Sequence, residues 1–211
     1  MAGVAGTVAS LSANLLNSRI GAAIAIGALI GLLLGSVAAL LPIFARDVLQ
    51  SGENGPLVLG MLRSAPAIGA LVMSAALSWF SLDRNVGRIL FLSVAIYGIS
   101  VVAFALSSWL AVSLIALMIY GAADAISVVI RHSLVQMHTP NEMLGRVMAI
   151  NSLFTGSSGT LGEFRAGAVA AALGGVMSAL LGGAGALVVV LLWMRMFPSL
   201  YRVETLTGKK G

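Results

Sequence analysis

The chain has no cysteine in its 211 residues, which excludes disulfides and thiolate-held metals. Charge is almost as scarce. Asp, Glu, Lys and Arg make up 9% of the residues, against about 25% in typical soluble domains. A soluble fold of this size could not cover its surface with so few charges. The composition is 59% hydrophobic and the mean hydropathy is +1.05, so a helical membrane protein is expected. No charge precedes Arg19, so the opening residues lack the basic region of a cleavable signal. The two histidines, His132 and His138, are too far apart for one-turn helix ligands. No carboxylate pair lies near them to complete a metal site, and they read as solvated loop residues. Gly156-Ser157-Ser158-Gly159 has no histidine in its span to act as base, so it reads as a wet helix segment. There is no phosphate-binding glycine loop and no catalytic constellation. No enzymatic activity, cofactor, metal or nucleic-acid partner is expected. The net charge of +5 is scattered between apolar runs and fits membrane orientation.

What the chain does have is long apolar runs, and they predict an all-α bundle of six transmembrane helices over 20–198. Residues 1–19 form a cytoplasmic or interfacial lead-in and 199–211 a cytoplasmic basic tail. The first span occupies Ile20–Ala45 and holds Gly27, Gly31 and Gly35. Recurring every four residues, these form one flat stripe suited to close helix packing. The second span is about 57–80, with Pro66 expected to kink it. Ser107-Ser108-Trp109 divides the next apolar run into spans at about 89–106 and 110–133. The fifth span is about 147–172, after a Met137–Arg146 loop. Gly174-Gly175 then turns the chain into a sixth, about 176–197. Two Gly-Arg pairs, Gly87-Arg88 and Gly145-Arg146, hint at a three-plus-three repeat.

Six spans put both ends on one side. Arg19, Arg84, Arg88, Arg131, Arg146, Arg195, Arg202, Lys209 and Lys210 fall on that side, and Arg46 alone on the other. This asymmetry predicts cytoplasmic termini in a bacterial plasma membrane.

Four ionisable groups lie inside spans: Arg63, Asp124, Glu163 and Arg165. A lone charge at mid-bilayer costs roughly 2.5–3.5 kcal/mol, so each should face the bundle or a wet cavity as a pathway or coupling candidate. Glu163 and Arg165, two apart, point to nearly opposite sides of a helix and cannot pair directly. Residue counting puts Arg63 and Glu163 at similar depth in the outer half and predicts that they pair. Asp124 is expected in a cytoplasmic-side network with Arg131 or Arg146.

Several stretches carry a resemblance. They are ALLPIFARDVL (39–49), GMLRSAPAIGA (60–70), DRNVGR (83–88), GAADAISVVIR (121–131), TPNEMLGRV (139–147) and LGEFRAG (161–167). On these the chain resembles the C-terminal six helices of a major facilitator superfamily transporter. It is most similar to the enterobactin-exporter-like group, the transmembrane secretion effectors. It departs from them at Ala28, Leu144 and Gly159-Thr160, where relatives carry polar or charged groups. The resemblance implies export of a small siderophore- or drug-like molecule, usually by proton antiport. It also implies a cytoplasmic gate network at Asp83, Arg84, Gly87, Arg88, Arg131, Glu142, Gly145 and Arg146. Such transporters have twelve helices, so this bundle is expected to need an N-terminal six-helix half or a second copy of itself. A second reading, from another class, is a six-span protein that does not transport and serves as a partner of another membrane protein.

Overall fold

The computed structural model describes residues 19–34, 37–49, 52–79, 85–137 and 139–196, and all regular structure in them is helical. In chain order the α-helices are α1 (Arg19–Leu34), α2 (Val37–Ile43), α3 (Gly55–Trp79), α4 (Val86–Leu106), α5 (Leu110–Met137), α6 (Asn141–Leu173) and α7 (Gly175–Met196). Both the predicted lead-in before Arg19 and the predicted tail after Pro198 lie outside the described residues, as do Gly35, Asp83 and Arg84.

The first predicted span does not end as a regular α-helix. It is described as α1 and α2, followed by a π-helical turn at Phe44–Val48 whose closing bond runs from the Leu49 N–H to the Phe44 carbonyl at 2.9 Å. Pro42, inside α2, cannot donate to the ladder, and π-turns and prolines are the usual sites of such irregularity. The predicted Met137–Arg146 loop is mostly helix as well. α6 begins at Asn141 directly after Pro140, with Glu142 in its first turn, where a carboxylate suits the helix dipole. His132 likewise lies within α5, half-buried, and not in a loop. The turns at Ser107-Ser108-Trp109 and at Gly174, with φ of +89°, fall where the sequence placed them.

Among the described residues, five segments are long and apolar enough to cross a membrane: 27–48, 52–79, 86–106, 110–137 and 175–195. α6 is the longest helix, at 33 residues, but it carries Glu142, Arg146, Glu163 and Arg165 and is the least apolar.

Helices α1, α5, α4 and α7 form a closed ring of neighbours, with α3 packed on α5 at one flank and α6 packed on α1 and α7 at the other. The ring buries Leu90, Phe91, Val94 and Phe104 of α4 against Leu117 and Ile130 of α5, with Phe44 stacked 4.3 Å from Phe104. The outer faces of α4 and α7 are aliphatic stripes, Leu92–Ile96–Ile99–Leu106 and Met177–Leu181–Val188–Leu191. Their spacing keeps each stripe on one side of its helix, as lipid contact requires.

Three glycine pairs set the crossings. A Cβ on Gly69 of α3 would overlap the Met118 backbone, and one on Gly121 of α5 would overlap that of Pro66. A Cβ on Gly162 of α6 would lie 2.6 Å from the Gly31 carbonyl oxygen of α1. Between α4 and α7, a Cβ on Gly183 would come to 3.1 Å from the Gly98 carbonyl oxygen. Lipid tails are as apolar as leucine, so helix association in a bilayer depends on such backbone approach. The α3–α5 crossing is the tightest. Gly121→Ala should therefore lower the melting temperature in detergent, at an overpacking cost of about 1–3 kcal/mol. Gly145→Ala, where a Cβ meets nothing within 4 Å, should hold or raise it, because alanine is the better helix former by about 1 kcal/mol. Equal losses at both positions would show that the crossing is looser than described.

Candidate functional site

The chemistry of the bundle gathers on one stripe of α5. Tyr120, Asp124, Ser127 and Arg131 follow one another by four, three and four residues, which aligns them on a single helix face. That face looks into the ring. Arg131 is buried, at 8% exposure. Its Nε donates to the Ser127 carbonyl at 3.1 Å, and its Nη2 lies 3.8 Å from Asp124 Oδ1. The pair is within ion-pair range but too long for a good hydrogen bond. The Asp124 side chain is 40% exposed, against 10% for that of Arg131. The cation is thus anchored and dry, and the anion reaches toward open space.

Above the pair, the Tyr97 hydroxyl of α4 donates to the Tyr120 hydroxyl at 2.9 Å, and the rings lie 4.3 Å apart. This ties α4 to the charged stripe. From the third side comes Gly27 of α1, where a Cβ would lie 2.5 Å from Arg131 Nη1. Any larger residue there would displace the guanidinium.

The glycine stripe of the first span therefore divides its work. Gly31 meets the α6 backbone at Gly159 and Gly162, as a packing glycine should, whereas Gly27 makes room for a side chain. Of the two partners expected for Asp124, the structure selects Arg131; Arg146 is exposed near the start of α6. Gly87 is buried at the start of α4, whereas Arg88, Glu142 and Gly145 are exposed.

The expected pairing of Arg63 with Glu163 is not found. Both side chains are exposed, and their helices stand on opposite flanks, separated by α5 and α1. Matching depth by residue count could not reveal that lateral separation. Arg165, expected as a pathway or coupling candidate, reaches the first span. Its Nε donates to the Leu32 carbonyl at 3.3 Å and its Nη2 to the Leu33 carbonyl at 3.0 Å. Those carbonyls belong to α1. Arg165 thus clamps α6 to the end of α1 and leaves Glu163, on the other side of the helix, exposed.

Sequence reasoning did not single out Tyr97, Tyr120, Gly69 or Gly121. The signal for Tyr120 was present, four residues before Asp124. Tyr97 sits in a uniformly apolar helix and offered none.

Membrane-length apolar helices around an internal ion pair define a multi-pass membrane protein of the transporter type. The family model for the Major Facilitator Superfamily matches residues 2–163, and the chain belongs to that superfamily. Comparison with curated proteins and with solved structures gave no match.

Asp124→Asn would leave a buried guanidinium without its countercharge, at a cost of roughly 1–3 kcal/mol. Removing both charges, with Arg131→Gln added, should cost less than the sum of the two single losses. Detergent melting of the two single variants and the double variant measures this; strictly additive losses would mean that the two groups do not interact.

Proposed function

We propose that this chain is one half of a secondary transporter that exports small siderophore- or drug-like molecules by proton antiport, as in the enterobactin-exporter-like group it resembles. Asp124 is the proposed proton-carrying group, and no enzymatic step is involved. The observation that carries the reading is the asymmetry of the Asp124–Arg131 pair. A half-exposed carboxylate at 3.8 Å from an anchored guanidinium is held near a charge without being locked to it. Protonation there removes the countercharge of a buried cation, which is a way to bias the packing of α1, α4 and α5 around it.

In the proposed topology α6 also crosses the membrane, making six spans, with both termini cytoplasmic in a bacterial inner membrane. At 33 residues α6 extends about 50 Å, well beyond a hydrocarbon core of about 30 Å. The packing pattern supports a three-plus-three repeat. Exchanging the first span with α5, α3 with α6, and α4 with α7 turns the α1–α6 contact into the α5–α3 contact and the α4–α5 contact into the α7–α1 contact. The same exchange carries the Gly31–Gly162 crossing onto the Gly121–Gly69 crossing and maps the Gly98–Gly183 crossing onto itself. Nested inverted repeats are the known architecture of this superfamily, with the pathway between two six-helix bundles.

Two measurements test these proposals. In the cysteine-free chain, cysteines replacing Asn54 and Asn141 report sidedness. An impermeant thiol reagent on intact cells should label position 54 and spare 141, and the reverse pattern would overturn the topology. For transport, proteoliposomes are loaded with a catecholate siderophore or a lipophilic cationic dye and given a pH gradient. Flux should follow the gradient and fall at least tenfold in Asp124→Asn. Flux that survives this substitution removes Asp124 from coupling. No flux from correctly oriented protein, whether alone or reconstituted together with an N-terminal six-helix half, would favour the six-span protein that does not transport.

A further inference from the structure

Between Asp124 and Arg131 on the charged stripe of α5 stands Ser127, one turn from each. It is 1% exposed, and its hydroxyl oxygen has no hydrogen-bond partner among the described residues. The guanidinium beside it is also short of partners. An arginine carries five N–H donors. Among the described residues only the Nε of Arg131 finds an acceptor, the Ser127 carbonyl at 3.1 Å. Asp124 Oδ1 stands 3.8 Å from Nη2, beyond a good hydrogen bond. Buried polar groups ordinarily have partners, and two of them short of partners side by side call for a ligand.

The charge of Asp124 decides what that ligand is. An ionised carboxylate offers only acceptors and balances the guanidinium. A protonated one turns an acceptor into an O–H donor and leaves a buried cation without a counterion, which is costly. Carboxyl, hydroxyl and guanidinium then present donors to one place of net positive charge, and such a place suits an anion. The neutral side chain stays on the helix, so the room beside the guanidinium is that of a single small ion. Entry is from the Asp124 side, whose side chain is 40% exposed against 10% for Arg131. Tyr97 of α4 and Tyr120 of α5 are the titratable groups that face the pair. Both are phenols, uncharged throughout the pH range used below. α1 brings no titratable side chain after Arg19. On α3 and α6, Arg63, Glu142, Arg146 and Glu163 are exposed, and Arg165 is bonded to α1. His132, next along α5, points about 100° away from Arg131.

We propose that Ser127 and Arg131 form a binding site for a small monatomic anion, chloride or another halide, which fills when Asp124 carries no charge. The ion takes over from the carboxylate as counterion of Arg131 and accepts a hydrogen bond from the Ser127 hydroxyl. Proton and halide therefore enter together, and by linkage each strengthens the binding of the other. The site gains one positive and one negative charge, so its net charge is the same before and after. The inference rests on the reading of Asp124 as the proton-carrying group and adds the ion that accompanies the proton. Its test measures binding without flux, and one arm of it needs no protonation, so the two readings fail separately.

The purified chain, in detergent and sodium gluconate, is titrated with sodium chloride or bromide at constant ionic strength while tryptophan fluorescence follows melting. A ligand of the folded state raises the melting temperature with its concentration. In Asp124→Asn both halides should do so, at about pH 5 and about pH 8 alike. Wild type should respond only in acid. Chloride added to it there in lightly buffered solution should draw up protons, and added to Asp124→Asn it should not. Ser127→Ala removes a hydroxyl that has no partner, so it should melt in gluconate as wild type does. It should need about tenfold more chloride for the same rise, the loss of one hydrogen bond to a charged group. Arg131→Gln should abolish the response, and where that variant does not accumulate, Ser127→Ala carries the test. No halide response in Asp124→Asn, which is the result if water alone fills the place, would overturn the proposal. So would a response there that still needs acid, a response unchanged by Ser127→Ala, or chloride binding to wild type without proton uptake. A response in Asp124→Asn that wild type does not reproduce in acid would uphold the site and count against Asp124 as the proton carrier.

Discussion

The fold depends on backbone meeting backbone at the α3–α5 and α1–α6 crossings. In water, burial of apolar side chains would hold these helices together. In lipid that term is nearly absent, and dispersion contact at short range has to replace it. Gly69, Gly121, Gly31 and Gly162 let the helix axes come close enough for backbone atoms to touch across the interface. Everything polar in the bundle follows from that spacing. Asp124 and Arg131 lie on the same helix as Gly121, one to three turns further on, so the close α5 crossing fixes where they can reach.

The charges inside the spans illustrate three ways of lowering the same cost. Arg131 is paired with Asp124 and bonded to its own helix at the Ser127 carbonyl. Arg165 donates to two backbone carbonyls of α1, so that a cation from α6 is met by backbone dipoles of the neighbouring helix. Arg63 and Glu163 are left exposed, each in a strip of small residues and away from the aliphatic edge of its helix. The first two solutions are completed within the bundle. In the third, the charge stays at the surface of the bundle among small residues.

The legible part of this protein was the part governed by period and punctuation. Apolar runs bounded by Ser107-Ser108-Trp109 and Gly174-Gly175 gave helix ends within a few residues, because chain reversals need residues that leave the helix. The opposed directions of Glu163 and Arg165 followed from helical geometry, and the structure has one clamped inward and the other exposed. Partner identity was less legible. Depth along the membrane can be counted from sequence, but lateral position cannot, so Arg63 and Glu163 were matched in depth and wrongly joined. Gly27 illustrates the same limit. Its spacing from Gly31 marks a stripe, yet only the arrangement of α5 shows that it faces a guanidinium and not a helix backbone. The π-helical turn that closes the first span was also hidden. The span is apolar as far as Ala45 and gives no sign of where the α-helical ladder gives way.

The polarity of α6 reflects the number of environments it meets. α4 and α7 need only lipid on one side and protein on the other, and their sequences are accordingly apolar nearly throughout. α6 has a third environment to satisfy, and α3 shares it to a lesser degree. A helix with three environments cannot be uniformly apolar, because one edge must be small or polar where a second surface or water meets it. The loss of hydropathy that sets α6 apart from the other long helices is thus confined to part of its surface. The residues that lower it, Ser152, Gly156, Thr160 and Glu163, are exposed ones, while its buried edge retains Val147 and Ala166. Hydropathy averaged over the helix hides this, and the edge-by-edge pattern reveals it.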